Sequence, residues 1–520
     1  VVNLLNYWWI TRPKRKLNSI PDVLATFAEL SLDQEWQGQR DSHLSFEEAL
    51  EQAGLKRKGE RRDQTGGGAR TYKAWVASLG LIFTQESTRK VKLTLAGEAI
   101  MFGDSPVEIL KNQIVKYQFP SSFSLSPGVQ VSSRFKIRPF RFLLKLLNDS
   151  DIEYLTEEEI AKIVVTEAEN ESDKCYKYIV NRILEFRQSG DTCLEEDFFR
   201  KYKSSKGDVN PEHPYSHLMD LANTIVNWLE YTQLAKRDNG EVRILDDKRF
   251  EVQNILSVHS LFIARPEQHE FFQRKYGLDP KHKKDTRNLT EAKTITARII
   301  AEQKIKQCYI AESLKKPITK ITTGLIDKIV EQTGFEDKLV EETLLRLYPR
   351  GSVGAFMTEY FEMAFKGRDE ATDFEKATVE LFQNVFGFEA KHVGPIGLTP
   401  DVLILSDTDG YQAIIDNKAY SKYTISNDHH NRMVHNYIKN FNRYSQSPSS
   451  LAFFSYISGG FGKNINSQIV DIVDVTGVSG SAISVSNMIK LVELYESKHY
   501  THQNIKEIFS VNRQILLSDI

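Results

Sequence analysis

Along residues 71–103 the spacing of apolar positions changes twice. TYKAWVASLG has helical spacing, LIFTQ and VKLT read as two short strands around the polar turn ESTRK, and LAGEAIMFG returns to a helix. The same order recurs over 220–256, where LANTIVNWLEYTQL predicts a helix, AKRD and EVRIL flank the turn Asp238-Asn239-Gly240, and another helix follows. Asn-Gly favours a hairpin because both residues tolerate positive φ. Between them, IRPFRFLLKLL and TEEEIAKIVV predict two helices, the second opened by Thr156 with Glu159 three residues on, a capping box. From 259 to 347 the pattern is helical and solvent-facing, with no sheet signal, which predicts a connector and docking helix set. Tyr348-Pro349-Arg350-Gly351-Ser352 breaks it, and apolar strands follow.

These patterns predict a multidomain α+β chain. Residues 1–105 and 106–257 are expected to be helical modules with winged-helix features, 258–350 a helical connector, and 351–520 an α/β domain with a central mixed sheet. Length agrees, since 520 residues exceed one comfortable core. With 40 % hydrophobic and 27 % charged residues the chain folds as an ordinary globular protein. Cys175, Cys193 and Cys308 lie far apart without CxxC spacing, so neither a disulfide framework nor a zinc knuckle is expected, and a reducing cytoplasm fits. The stretch VVNLLNYWWITRPKRK puts its basic run after its apolar one, the reverse of a signal peptide, and no apolar run of about eighteen residues suggests a membrane span.

Charge changes the picture more. The net value is −2, but residues 1–147 hold 22 Lys+Arg against 14 Asp+Glu, a net of +8, which leaves −10 for the rest. A basic N-terminal part suits phosphate binding, and an acidic remainder tolerates carboxylate metal ligands.

The chemistry-bearing stretch is DVLILSDTDGYQAIIDNKAY, residues 401–420. Two apolar strands around Ser406-Asp407-Thr408-Asp409-Gly410 predict a hairpin. With the turn centred between Thr408 and Asp409, Asp401 and Asp416 lie opposite each other, about 5 Å apart at Cβ. Lys418 shares their face and Asn417 points away, because side chains alternate along a strand. Two carboxylates can hold Mg²⁺, with Mn²⁺ as a substitute, against a phosphate oxygen, and the lysine can orient a water and stabilise a pentacovalent transition state. Upstream, residues 373–382 predict an amphipathic helix whose Glu375 could approach from the edge. Other D/E-x-K triplets, at Asp279, Glu291 and Glu302, sit in helical or loop contexts without a matched upstream acid and read as solvated charges.

From about Gly351 onward the chain resembles the FokI-type cleavage domain of type IIS restriction endonucleases, a branch of the PD-(D/E)xK nucleases. The resemblance rests on Thr399-Pro400-Asp401, Ile415-Asp416-Asn417-Lys418-Ala419-Tyr420-Ser421, the segment from Ile457 to Asn464, and the preceding FEKATVELFQNVFGFEAKHVG. It implies Asp401 and Asp416 as metal ligands, Lys418 as the catalytic lysine and Glu375 as the helix acid, with Glu380 the alternative. It also implies a transient dimer on DNA through the helices after the lysine, with Asn431 and His435 standing where that family uses an acid and an arginine. The N-terminal half resembles the AlwI-like type IIS enzymes through Trp9-Ile10-Thr11-Arg12-Pro13, Leu93-Thr94-Leu95-Ala96-Gly97-Glu98, Gln118-Phe119-Pro120 and Arg138-Pro139.

The expected activity is therefore Mg²⁺-dependent hydrolysis of double-stranded DNA at a distance from a short asymmetric site, in a bacterial cytoplasm and beside a cognate DNA methyltransferase. Alternatives are a nicking enzyme, one subunit of a heterodimer, a nuclease without sequence preference, or a winged-helix regulator with an idle nuclease-like domain. Candidate DNA contacts are Arg12, Lys14 and Arg15 beside two tryptophans; Arg61, Arg62, Arg70 and Lys73; Arg89 and Lys90 at the first ribbon; and Arg134, Lys136 and Arg138.

Overall fold

The computed structural model describes residues 4–56, 66–102, 104–126, 129–204, 214–238, 240–260, 262–289, 297–348, 351, 353–365, 371–394, 398–445 and 447–520. Arg61, Arg62, Asn239, Pro349, Arg350 and Ser352 lie outside them. The chain forms two compact units, Val1–Gln307 and Cys308–Ile520. The division falls inside the helix Ala297–Lys315, upstream of the boundary expected at 348–352. Local pairing accounts for this: buried Glu312 binds Lys328 and Gln332, and Tyr309 stacks on Tyr348 at 4.1 Å.

In the first unit both expected orders of helix, ribbon and helix are present. The helix Gly67–Ser78 precedes the strands Ile82–Thr84 and Val91–Leu93, and Thr94 caps the next helix, Leu95–Met101, by accepting from the Gly97 N–H. The helix Ser216–Tyr231 precedes Ala235–Asp238 and Glu241–Ile244, joined by Leu155–Thr156 as a third strand. The Thr156–Glu159 capping box forms, but the helix it opens widens into a π-helical stretch over Ile160–Val164. Pro139–Leu147 buries Phe140, which stacks on Trp228 at 5.7 Å with Tyr117 edge-on to both. Trp8 and Trp75 are core; Trp9 is only half-buried.

The expected connector behaves differently in its first part. His269–Tyr276 packs on the first ribbon, with Gln273 Nε2 donating to the carbonyls of Ala77 and Ile82, and the Thr84 N–H donating to His269 Nε2 at 3.0 Å. Arg287 reaches the Leu93 carbonyl and Glu98. The cause is the backbone: ribbon and helix-end groups that a two-stranded sheet leaves unpaired find partners in this later segment. Residues 262–289 are thus built into the first unit.

The second unit carries a six-stranded mixed sheet in the order Arg513–Gln514, Ser479–Ser484, Ser450–Ser458, Tyr411–Asn417, Val402–Ser406, Glu389–His392. Val402–Ser406 is antiparallel to both of its neighbours, and the first four strands are parallel. Leu403, Ile414, Tyr456 and Ala482 pack with Met433, Val434, Tyr437 and Ile469 on one face. Ala371–Asn384 contacts the same sheet and buries Phe374, Ala377, Leu381 and Phe382. Tyr411–Asn417 is consequently buried at every position, like a strand covered on both faces. Among the described residues no helix is long and apolar enough to cross a membrane.

Candidate active site

The hairpin pairs Val402 with Ile415 and Ser406 with Tyr411, so one step further places Asp401 across from Asp416, the register expected from the turn. Asp401 precedes its strand and is pinned there: the Asn417 N–H donates to its Oδ2 at 2.7 Å. Lys418 lies just past the other strand, yet its N–H still donates to the Ile457 carbonyl, which holds the backbone extended beside the neighbouring strand. Its Nζ comes within 2.7 Å of Asp416 Oδ2 and 3.7 Å of Asp401 Oδ2, and donates to the Asn417 carbonyl. The Asp401 and Lys418 side chains keep 20 % and 14 % of their surface, so neither is sealed from solvent.

Electrostatics bind the cluster. Burial, the neighbouring Asp416 and the charge of Glu375 push the Asp401 carboxyl well above its usual range, against the opposing pull of Lys418. Burial alone would lower Lys418, but Asp416 and Asp401 outweigh it and hold the ammonium above its ordinary value. Asp416 Oδ1 is buried and, among the described residues, has no hydrogen-bond partner. Such an oxygen is costly to leave unmatched and suits a hard cation. No three His, Cys, Asp or Glu side chains converge on one point among the described residues. The donor set is therefore an open two-carboxylate cradle, which fits Mg²⁺, an ion that keeps waters and takes substrate oxygens rather than filling a protein cage.

Glu375 stands at the edge on the helix Ala371–Asn384, with its Oε2 2.7 Å from His392 Nε2. Its charge is felt at Asp401, whereas Glu380 accepts from Asn384 Nδ2 on its own helix. His392 escapes a sequence reading; only its place opposite Val402 on the adjacent strand points to it. Asn417 turns away from the cluster, as expected, and donates to Thr378 Oγ1 at 2.6 Å, which also pairs with the Tyr360 hydroxyl at 2.8 Å. This anchor likewise has no sequence signal.

The remaining candidates scatter. Asn431 and His435 are exposed at the end of Asn427–Asn431 and on the π-helical Arg432–Ile438, while Met433, Val434 and Tyr437 point inward. Arg12 lies over the Trp9 ring, and burial lowers its guanidinium. Arg15 pairs with Asp220, and Lys14 is half-buried. Lys73 is half-buried on its helix and brought down to about 8 by burial, while Arg70 is exposed. Arg89, at φ 57°, is exposed at the ribbon tip beside half-buried Lys90. Arg134 donates to Asn6, Glu169 and the Thr166 carbonyl. Arg138 makes a two-pronged pair with Glu171 and reaches the Ser260 carbonyl. Both guanidinium groups thus have internal partners, whereas Lys136 is exposed near Phe262.

Residues 334–516 match the FokI cleavage domain profile, and residues 77–343 match that of the AlwI restriction endonuclease. No curated protein matches the chain. The solved structure of restriction endonuclease FokI aligns at 15 % identity over 99 % of this chain and 100 % of its own, with a TM-score of 0.29. FokI bound to DNA aligns at 15 % identity over 98 % of this chain and 93 % of its own, TM-score 0.28. The BpuJ1 endonuclease binding domain, solved with pyrene- and phenanthrene-modified DNA, aligns at 16 % identity over 52 % of this chain and 96 % of its own, TM-score 0.37. Since the second profile alone spans more than half of its residues, the chain belongs to the AlwI restriction endonuclease family.

Proposed function

We propose that this type IIS restriction endonuclease binds a short asymmetric site in double-stranded DNA through its N-terminal modules, residues 1–105 and 106–257. It then hydrolyses phosphodiester bonds at a distance with residues 351–520. The observation that carries the reading is the cluster of Asp401, Asp416 and Lys418, with one buried Asp416 oxygen lacking a partner. In this reading Asp401 and Asp416 hold Mg²⁺, for which Mn²⁺ substitutes. The ion would offset charge at phosphorus and make bound water more acidic. Lys418, kept protonated by its two neighbours, acts as a donor: it orients the attacking water and stabilises the pentacovalent phosphorane charge. Glu375, held by His392, serves as the outer carboxylate.

Cutting two strands needs a second active site or a second visit, so transient pairing of two nuclease domains on DNA, over the exposed surface of Asn431 and His435, belongs to the same reading. A cognate DNA methyltransferase would protect the host. Incubating the protein with plasmid and Mg²⁺ tests it. Discrete fragments are expected; a smear would mean a nuclease without sequence preference, and intact plasmid a DNA-binding regulator.

A further inference from the structure

Residues between Ser260 and Asp285 help wall a cleft of about 1110 Å³ in the first unit, closed on the other side by Lys116, Gln118 and Arg138. Its inner cations are committed. Arg138 is held by Glu171 and the Ser260 carbonyl, Arg274 by Asp285 and Glu270, and Lys116 by the carbonyls of Tyr276 and Leu278. The bonds of Arg138 and Lys116 join the two walls, and with those of Arg274 they commit the interior charge to the protein itself rather than to a small anion. The outer cations are different. Lys275, Lys283 and Lys284 are exposed and, among the described residues, none has a carboxylate partner; Lys275 only rests over the Phe271 ring at 4.5 Å.

The loop that carries Lys283 and Lys284 is also fixed in shape. Asp279 holds His282 on one side, and Asp285 is gripped by Arg274 and Arg287 on the other. A pre-set loop presents its lysines without an ordering cost at the moment of binding. Of the three lining carboxylates, Glu270 pairs with Arg274 and Asp285 with both Arg274 and Arg287, which leaves Glu86 against three ammonium groups that have no carboxylate partner among the described residues. Exposed point charges at the mouth of a cleft whose inner cations already have partners within the protein match the phosphates of a polyanion rather than a single buried ion.

We propose that this cleft seats one strand backbone of duplex DNA, with Lys275, Lys283 and Lys284 on its phosphates. The segment expected to be a connector thereby joins the DNA-binding surface. The inference rests on the DNA-binding reading above and adds a place to it.

The test uses the full-length protein and a random-sequence DNA duplex, with binding followed by fluorescence anisotropy across a KCl series. K275Q/K283Q/K284Q should keep the wild-type melting temperature and lower the slope of log K against log salt by about 0.9 for each phosphate no longer neutralised, close to 3 in all. Each single variant should remove about 0.9. An unchanged slope in the folded triple variant overturns the cleft, as does a loss confined to R89Q/K90Q at the ribbon tip. A wild-type protein that binds no duplex removes the DNA-binding reading itself.

Discussion

Asn417 holds the site from two sides: its backbone N–H donates to Asp401 Oδ2 while its side-chain amide donates to Thr378 on the other face of the sheet. The strand end that carries Asp416 and leads into Lys418 is thereby fastened to the helix that carries Glu375. Positioning of this kind matters because the reacting groups must be in place before charge develops.

Thr378→Val tests that fastening. It removes an acceptor shared by the Asn417 amide and the Tyr360 hydroxyl, both buried. Leaving such donors unpaired costs about 1–3 kcal/mol each. Urea unfolding should show a loss of that order, and the cleavage rate should fall while DNA affinity stays. A variant as stable and as active as wild type would make the anchor irrelevant.

His269 gives the first unit an acid-sensitive joint. Burial, aided by Lys73, lowers its imidazole to about 4, and the neutral ring accepts the Thr84 N–H. Because the folded value lies below the unfolded 6.5, the unfolded chain takes up the proton first, and stability is lost as pH falls from about 6.5 to about 4. The loss is on the order of 3 kcal/mol if the shift is fully expressed. His269→Gln, which still offers an acceptor, should flatten that limb of the stability curve. An unaltered limb would place the acid sensitivity elsewhere.

Arg138 should behave as a brace before anything else. Arg138→Ala strands Glu171 and the Ser260 carbonyl in a partly buried setting, so thermal unfolding should drop by several degrees. Loss of DNA affinity with no change in melting would instead assign its guanidinium to the DNA.

What the sequence made legible, and what it did not, follows physical lines. The antiparallel hairpin has a two-residue period and a recognisable turn, so the partnership of Asp401 with Asp416 could be read by counting, and the alternation sent Asn417 to the opposite face. Both helix and ribbon orders were legible for the same reason. Interactions set by distant chain segments were not. Arg134 and Arg138 look like basic candidates until Glu169 and Glu171 arrive from more than thirty residues away. Gln273 gives no hint that it will serve the Ala77 and Ile82 carbonyls. The π-helical turns over Ile160–Val164 and Arg432–Ile438 keep an ordinary amphipathic pattern, so periodicity does not separate them from α-helix.

Pairing of nuclease domains has a kinetic signature. On a plasmid with one target site, the rate of double-strand cutting should rise faster than linearly with enzyme concentration, or be rescued by a second site on the same molecule. Strictly first-order cutting by sub-stoichiometric enzyme, with no second-site effect, would mean that one chain nicks the strands in turn.

The most direct test of the central claim compares plasmid cleavage and DNA binding for Asp401→Ala, Asp416→Ala and Lys418→Ala, each with Mg²⁺ and with excess EDTA. The wild type should cut only with the metal. All three variants should bind the target as wild type does and lose cleavage, Lys418→Ala by at least about 100-fold. Near-normal cutting by any of the three, or wild-type cutting in excess chelator, would contradict a metal-dependent nuclease centre built on these residues.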